Sequence, residues 1–125
     1  MANICSNWVE ICGDPDKVLE FVEFVESIDS DEKTNLFDFN KVIPLEGSSR
    51  EESSNKWGCS SIAFDVERMG YEDGDPNCEW YFWTKWNPPV EIYKKLCELF
   101  PDVYIVWRYE EPGMMLYGYL NAEDC

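Results

Sequence analysis

Carboxylates dominate the reactive side chains of this sequence: 26 Asp and Glu stand against 10 Lys and Arg and no His, a formal net charge of −16 over 125 residues. The absence of histidine removes the commonest general base, the commonest triad partner and the commonest transition-metal ligand. The six cysteines, Cys5, Cys12, Cys59, Cys78, Cys97 and Cys125, have no C-x2-C spacing of the kind that holds an iron–sulfur cluster, and no histidine is present to activate a thiol. Asp73-Gly74-Asp75-Pro76-Asn77 opens like a calcium loop, D-x-D-x-N. It lacks the closing residues, because Cys78 stands where the turn needs glycine and Thr84 where a bidentate glutamate should sit. A non-enzymatic protein without cofactor or metal is expected.

The acids are not evenly spread. From Glu10 to Glu32, nine of them (Glu10, Asp14, Asp16, Glu20, Glu23, Glu26, Asp29, Asp31 and Glu32) are answered by Lys17 alone. At about 100° per residue, Asp16, Glu20 and Glu23 fall on one side of a helix, opposite its apolar stripe. Like charges at this spacing each cost an exposed helix about 0.2 to 0.5 kcal/mol. The row recurs every 4 to 6 Å or so along the axis, on the scale of the roughly 3.4 Å repeat of phosphates on one DNA strand. Glu72, Asp73 and Asp75 add a second acidic group in a turn-rich stretch. The candidate partner-binding set is therefore Asp16, Glu20, Glu23, Glu26, Asp29, Asp31, Glu32, Glu72, Asp73 and Asp75. Acidic surface also serves solubility, which is the plain alternative for any one cluster.

The elements that must carry these residues follow from periodicity. About 45% hydrophobic and 16% aromatic content is enough for a core, so one folded domain spanning residues 1–125 is expected. Residues 3–12 alternate, with Asn7, Val9 and Ile11 on one face, and predict a strand. Asp14-Pro15-Asp16 then opens a helix with Val18, Phe21, Val22, Val25 and Ile28 at helical spacing. Residues 36–45 predict an edge strand or packed loop, and residues 46–56, which contain no apolar side chain, predict a mobile loop. Two alternating stretches, 60–67 and 79–86, predict a hairpin with an acidic tip. A helix with Ile92, Leu96 and Leu99 inward follows Asn87-Pro88-Pro89, and strands at 103–109 and 114–120 complete the chain. The order βαββαββ is that of an α+β, ferredoxin-like split βαβ sandwich: an antiparallel sheet with two helices on one face and an extra C-terminal strand. Trp80, Tyr81, Phe82, Trp83, Trp86, Tyr104, Trp107, Tyr109, Tyr117 and Tyr119 fall on its strands, as core or as cover for an open sheet face.

Several short stretches are familiar together: Asn7 and Val9 with Gly13, Phe39-Asn40-Lys41-Val42-Ile43-Pro44, Trp57-Gly58, Phe82-Trp83-Thr84-Lys85-Trp86-Asn87-Pro88-Pro89, and Tyr109-Glu110-Glu111-Pro112-Gly113 before Gly118. They resemble the YubB-like ferredoxin-domain family of phages, plasmids and other mobile elements. The resemblance implies the fold and a mobile-element origin, and none of its motifs is catalytic.

Charge and this context together point to partners. A surface at −16 repels nucleic acid and anionic lipid, and no apolar run is long enough to span a bilayer. Met1-Ala2-Asn3-Ile4-Cys5 lacks the charge and apolarity of a signal peptide, so reduced thiols and the host cytoplasm are expected. The leading expectation is a DNA-mimic inhibitor that blocks a basic nucleic-acid-binding defence protein, a CRISPR effector ahead of a restriction enzyme, acting as a monomer or small homo-oligomer. The other is an acidic accessory or scaffold module that binds a protein through its aromatic sheet face.

Overall fold

The computed structural model describes residues 4–28, 34–45, 50–59, 62–85, 87–111 and 116–120. Strand β1 (Ile4–Cys12) leads into helix α1 (Pro15–Val25), followed by a two-residue pair, β2 (Ser27–Ile28) and β3 (Thr34–Asn35), and two helices, α2 (Phe39–Val42) and α3 (Arg50–Trp57). Then come the hairpin β4 (Phe64–Met69) and β5 (Asn77–Lys85), helix α4 (Val90–Leu99), and strands β6 (Tyr104–Glu111) and β7 (Leu116–Leu120). The five long strands form one sheet in the order β4-β5-β1-β6-β7, and every neighbouring pair is antiparallel. β1 and β4 flank β5, which is the split βαβ arrangement, and β7 extends the sheet at the β6 edge.

The alternation of β1 works as expected, burying Cys5, Asn7, Val9 and Ile11 completely. α1 starts where the Asp14 carboxylate accepts the Asp16 N–H at 3.0 Å and Pro15 occupies the first turn, satisfying a donor the helix leaves open. Val18, Phe21, Val22 and Val25 then face the sheet. Ile28, placed in the same stripe by its spacing, is 72% exposed in β2, because the helix has ended at Val25. On α4, Ile92, Tyr93 and Leu96 are buried while Leu99 is 43% exposed. The next residue, Phe100, takes the inward place at that helix end, its ring 5.0 Å from Phe21 and 5.5 Å from Phe24.

Three expectations are corrected between α1 and β5. Residues 36–45 form no edge strand; Asp38 caps the single turn α2 by accepting the Asn40 N–H at 2.9 Å, and Phe37, Phe39 and Val42 are buried. The predicted loop at 46–56 is helical from Arg50 onward, while residues 46–49 lie outside the described ones. In β4 the alternation that the stretch 60–67 shows, with Ile62, Phe64 and Val66 set against Ala63, Asp65 and Glu67, is broken. Asp65 takes a positive φ of 52° and the register slips between Phe64 and Glu67. The resulting bulge turns Phe64 to the outer face beside Trp83, ring centroids 6.0 Å apart, while Val66 still packs on the core. Ile62 is 51% exposed and Ala63 is buried in its stead.

Aromatic rings fill the space between sheet and helices. Phe37 lies within 6.0 Å of Phe39, Trp80, Phe82 and Trp107, centroid to centroid, mostly edge to face, the arrangement that aligns ring edges with the faces of their neighbours.

Candidate functional site

The acids of the α1 row meet different fates. Asp16, Glu20 and Glu23 are exposed, as their spacing requires. Lys17 approaches Glu20 at 3.7 Å, a solvent-screened pair of small consequence. Glu26 is drawn inward into an ion pair with Arg68 of β4. The Lys41 ammonium donates to the Glu23 carbonyl at 3.0 Å and to the Glu26 carbonyl, placing a cation at the helix C-terminus where the dipole favours one. The row is thus acidic in its first half and partly neutralised in its second. Asp29, Asp31 and Glu32 lie outside the described residues.

The first half of the row does not stand alone. The Gly13 N–H donates to the Pro76 carbonyl at 3.0 Å, which seats the base of the β4–β5 tip against the β1–α1 turn. The α4–β6 turn meets the same point, since a Cβ on Gly13 would lie 3.3 Å from the Asp102 carbonyl oxygen. Asp14, Asp16, Lys17, Glu20 and Asp102 line one open cleft there. With Glu72, Asp73 and Asp75 on the adjoining tip, seven carboxylates from three separate stretches share one end of the sandwich, and Lys17 is the cation that lines the cleft with them.

Two of the seven have local duties. Asp14 caps α1, and the Asp75 carboxylate accepts the Glu72 N–H at 3.0 Å, closing the tip. Among the described residues no three acids or cysteines converge as metal ligands, so the carboxylates form a charged rim. Spacing pointed to Asp16, Glu20, Glu72, Asp73 and Asp75. Asp14 stands in the acidic run but outside the candidate set, and nothing in the sequence points to Asp102, whose membership depends on which turns meet.

A second surface is the sheet face away from the helices. Cross-strand pairing sets Glu67, Tyr81, Trp8, Arg108 and Tyr119 in a row across all five strands. Trp8 meets Tyr81 edge to face at 5.9 Å, and the Arg108 guanidinium lies 5.4 Å from the centroid of the Trp8 ring. The Trp83 indole N–H donates to the Tyr81 hydroxyl at 3.0 Å, and that hydroxyl in turn donates to Ser6 Oγ at 3.2 Å. Glu10 and Glu79 stand directly opposite each other. Desolvation, and then the hydrogen bond and charge of Glu10, raise the Glu79 carboxyl above its ordinary value. Of the predicted aromatic set, Trp80, Phe82 and Trp107 are core, Tyr81 and Trp83 belong to this outer face, and Tyr104 and Tyr119 are 68% and 65% exposed. The side chains of Trp86 and Tyr117 lie outside the described residues.

Comparisons with known proteins agree with this architecture. Residues 63–124 match the family model described as a ferredoxin-like domain in Api92-like protein. No curated protein matches the chain by sequence. The crystal structure of the protein Api92 from Yersinia pseudotuberculosis superposes with a TM-score of 0.72 over 95% of this chain and 93% of that one, at 11% identity. The chain is a ferredoxin-like domain protein, similar over its second half to the ferredoxin-like domain of Api92-like proteins.

Proposed function

We propose that this protein is a non-enzymatic, acidic binding protein that occupies the cationic groove of a nucleic-acid-binding protein, in the manner of a DNA mimic. The observation that carries the reading is the acidic end: Asp16, Glu20, Glu72, Asp73 and Asp102 project from α1 and two turns beside a single lysine. A groove lined with Lys and Arg is the complementary surface, and such complementarity governs encounter rate and partner choice. The resemblance to mobile-element proteins supplies the partner class, a host defence protein, with a CRISPR effector ahead of a restriction enzyme. The proposed place of action is the host cytoplasm, and neither DNA nor membrane is a direct ligand, both being anionic.

The test is competition for DNA, run with purified CRISPR effectors and restriction enzymes at low and high salt. The wild type should block DNA binding by its target, less so as salt rises. A variant carrying Glu20→Lys, Asp73→Lys and Asp102→Lys should inhibit at least about 100-fold more weakly with a melting temperature no lower than the wild type's, since reversal sets like charges against the groove. Equal inhibition by the two proteins, or none from either against the whole panel, overturns the reading.

A further inference from the structure

The helices α1 and α4 and the aromatic core lie on one side of the sheet, and the residues opposite them form a surface of mixed character. Rings from Trp8, Tyr81, Trp83 and Phe64 are half-buried there, and Tyr104 and Tyr119 are exposed at the β6 and β7 side. The carboxylates of Glu10, Glu67, Glu79 and Glu110 are interleaved with them, against Arg108 and Lys85. We propose that this open sheet face is a docking surface for a basic protein segment, whose arginines stack on the rings and pair with the adjacent carboxylates.

Charge chooses the occupant. A single strand of nucleic acid would find stacking platforms here but would bring its phosphates against four glutamates, where proteins that bind single strands provide a positive groove. A second copy of this chain would bring the same acids face to face. A cationic planar group meets both features at once: the ring faces attract it, and the carboxylates lie within the same patch. The structure already contains one such contact, the Arg108 guanidinium against Trp8 at 5.4 Å. The Glu10–Glu79 pair adds a second reason. Like charges directly opposite in a sheet are unfavourable, and a cation from a partner relieves what the fold leaves uncompensated at this pair.

This surface is separate from the acidic end, so the two readings fail separately. The probe is a nine-residue peptide of alternating arginine and valine, titrated into isotopically labelled protein while the indole N–H signals of Trp8 and Trp83 are followed. A peptide with glutamate in place of arginine and a nine-nucleotide oligouridine are run beside it. The arginine peptide should shift both indole signals, and the other two should shift neither. Trp8→Ser should weaken its binding about five- to ten-fold. The double change Glu10→Gln and Glu79→Gln, which preserves shape, should do the same without disturbing the fold. The acidic-end variant Glu20→Lys, Asp73→Lys, Asp102→Lys should bind the peptide as the wild type does. Indole signals that stay still, shifts caused by oligouridine, or a loss confined to the acidic-end variant each overturn the proposal.

Discussion

Asn7 occupies a position that β1 otherwise gives to apolar side chains, and it is completely buried. Its amide oxygen accepts the Trp107 indole N–H at 3.1 Å, and its amide nitrogen donates to Thr84 Oγ at 3.0 Å and to the Cys5 carbonyl at 3.2 Å. Thr84 passes the chain on, donating to the Asn87 carbonyl at 2.8 Å. Each polar atom orphaned in such a site costs about 1 to 3 kcal/mol, so Asn7→Ala should lower stability by about 2 to 3 kcal/mol in urea unfolding. Asn7→Leu should do no better, because the Trp107 N–H still loses its acceptor. On the open face, Glu79 takes up its proton more readily folded than unfolded, so its contribution to stability is present below about pH 4.5, its ordinary value, and is lost as pH rises through the raised value. Glu79→Gln should therefore stabilise the protein at pH 7 by up to about 1 kcal/mol, with the gain fading on acidification. A gain that is the same at both pH values would assign the effect to packing. Cys5 and Cys78 are buried, and desolvation raises both thiols to about 11. At pH 8 both should resist iodoacetamide until the protein is unfolded, by peptide mass analysis, since only the thiolate reacts.

At the level of elements, what the sequence disclosed tracks how local the determinants are. α1 is legible because its cap, its first-turn proline and its apolar stripe all lie within the helix itself. β1 and β5 are legible because their alternation is unbroken. α3 is not, because Arg50–Trp57 carries no apolar stripe and is held by its last residue. The Trp57 indole N–H donates to the Ile43 carbonyl at 2.9 Å and its ring meets Phe39 at 5.4 Å, contacts that exist only once α2 has formed. Trp57→Ala should consequently cost about 3 to 5 kcal/mol, the range for emptying a large aromatic site. The following Gly58, at a φ of 89°, crosses so close to α4 that a Cβ would lie 2.9 Å from the Val90 nitrogen. The bulge at Asp65 is equally hidden, since a single inserted residue leaves the alternating pattern nearly intact on either side. The same division runs through the candidate site. The exposed row Asp16, Glu20 and Glu23 follows from helical geometry alone, whereas the capture of Glu26 by Arg68 and the arrival of Asp102 beside Glu20 depend on which strands and turns become neighbours.

For the whole molecule, a charge of −16, with seven carboxylates crowded at one end, should be felt as self-repulsion that salt relieves. The screening length falls from about 30 Å at 10 mM to about 3 Å at 1 M, so neighbouring carboxylates across the β1–α1, β4–β5 and α4–β6 turns interact at the first concentration and hardly at all at the second. The melting temperature should therefore rise with sodium chloride. The distribution of charge decides how much of that rise each region contributes. Glu20→Gln with Asp73→Asn and Asp102→Asn removes three charges from the crowded end and leaves Asp14 and Asp16, which the start of α1 uses. Glu23→Gln with Glu67→Gln and Glu110→Gln removes three exposed charges from the rest of the surface. Both triples change the net charge equally, so a difference between them reports placement alone. The first triple should raise the low-salt melting temperature more and flatten its salt dependence more, measured by scanning calorimetry at the two concentrations. Equal slopes would mean that the excess charge acts as a uniform shell, and the acidic end would then lose the distinction that makes it a binding surface.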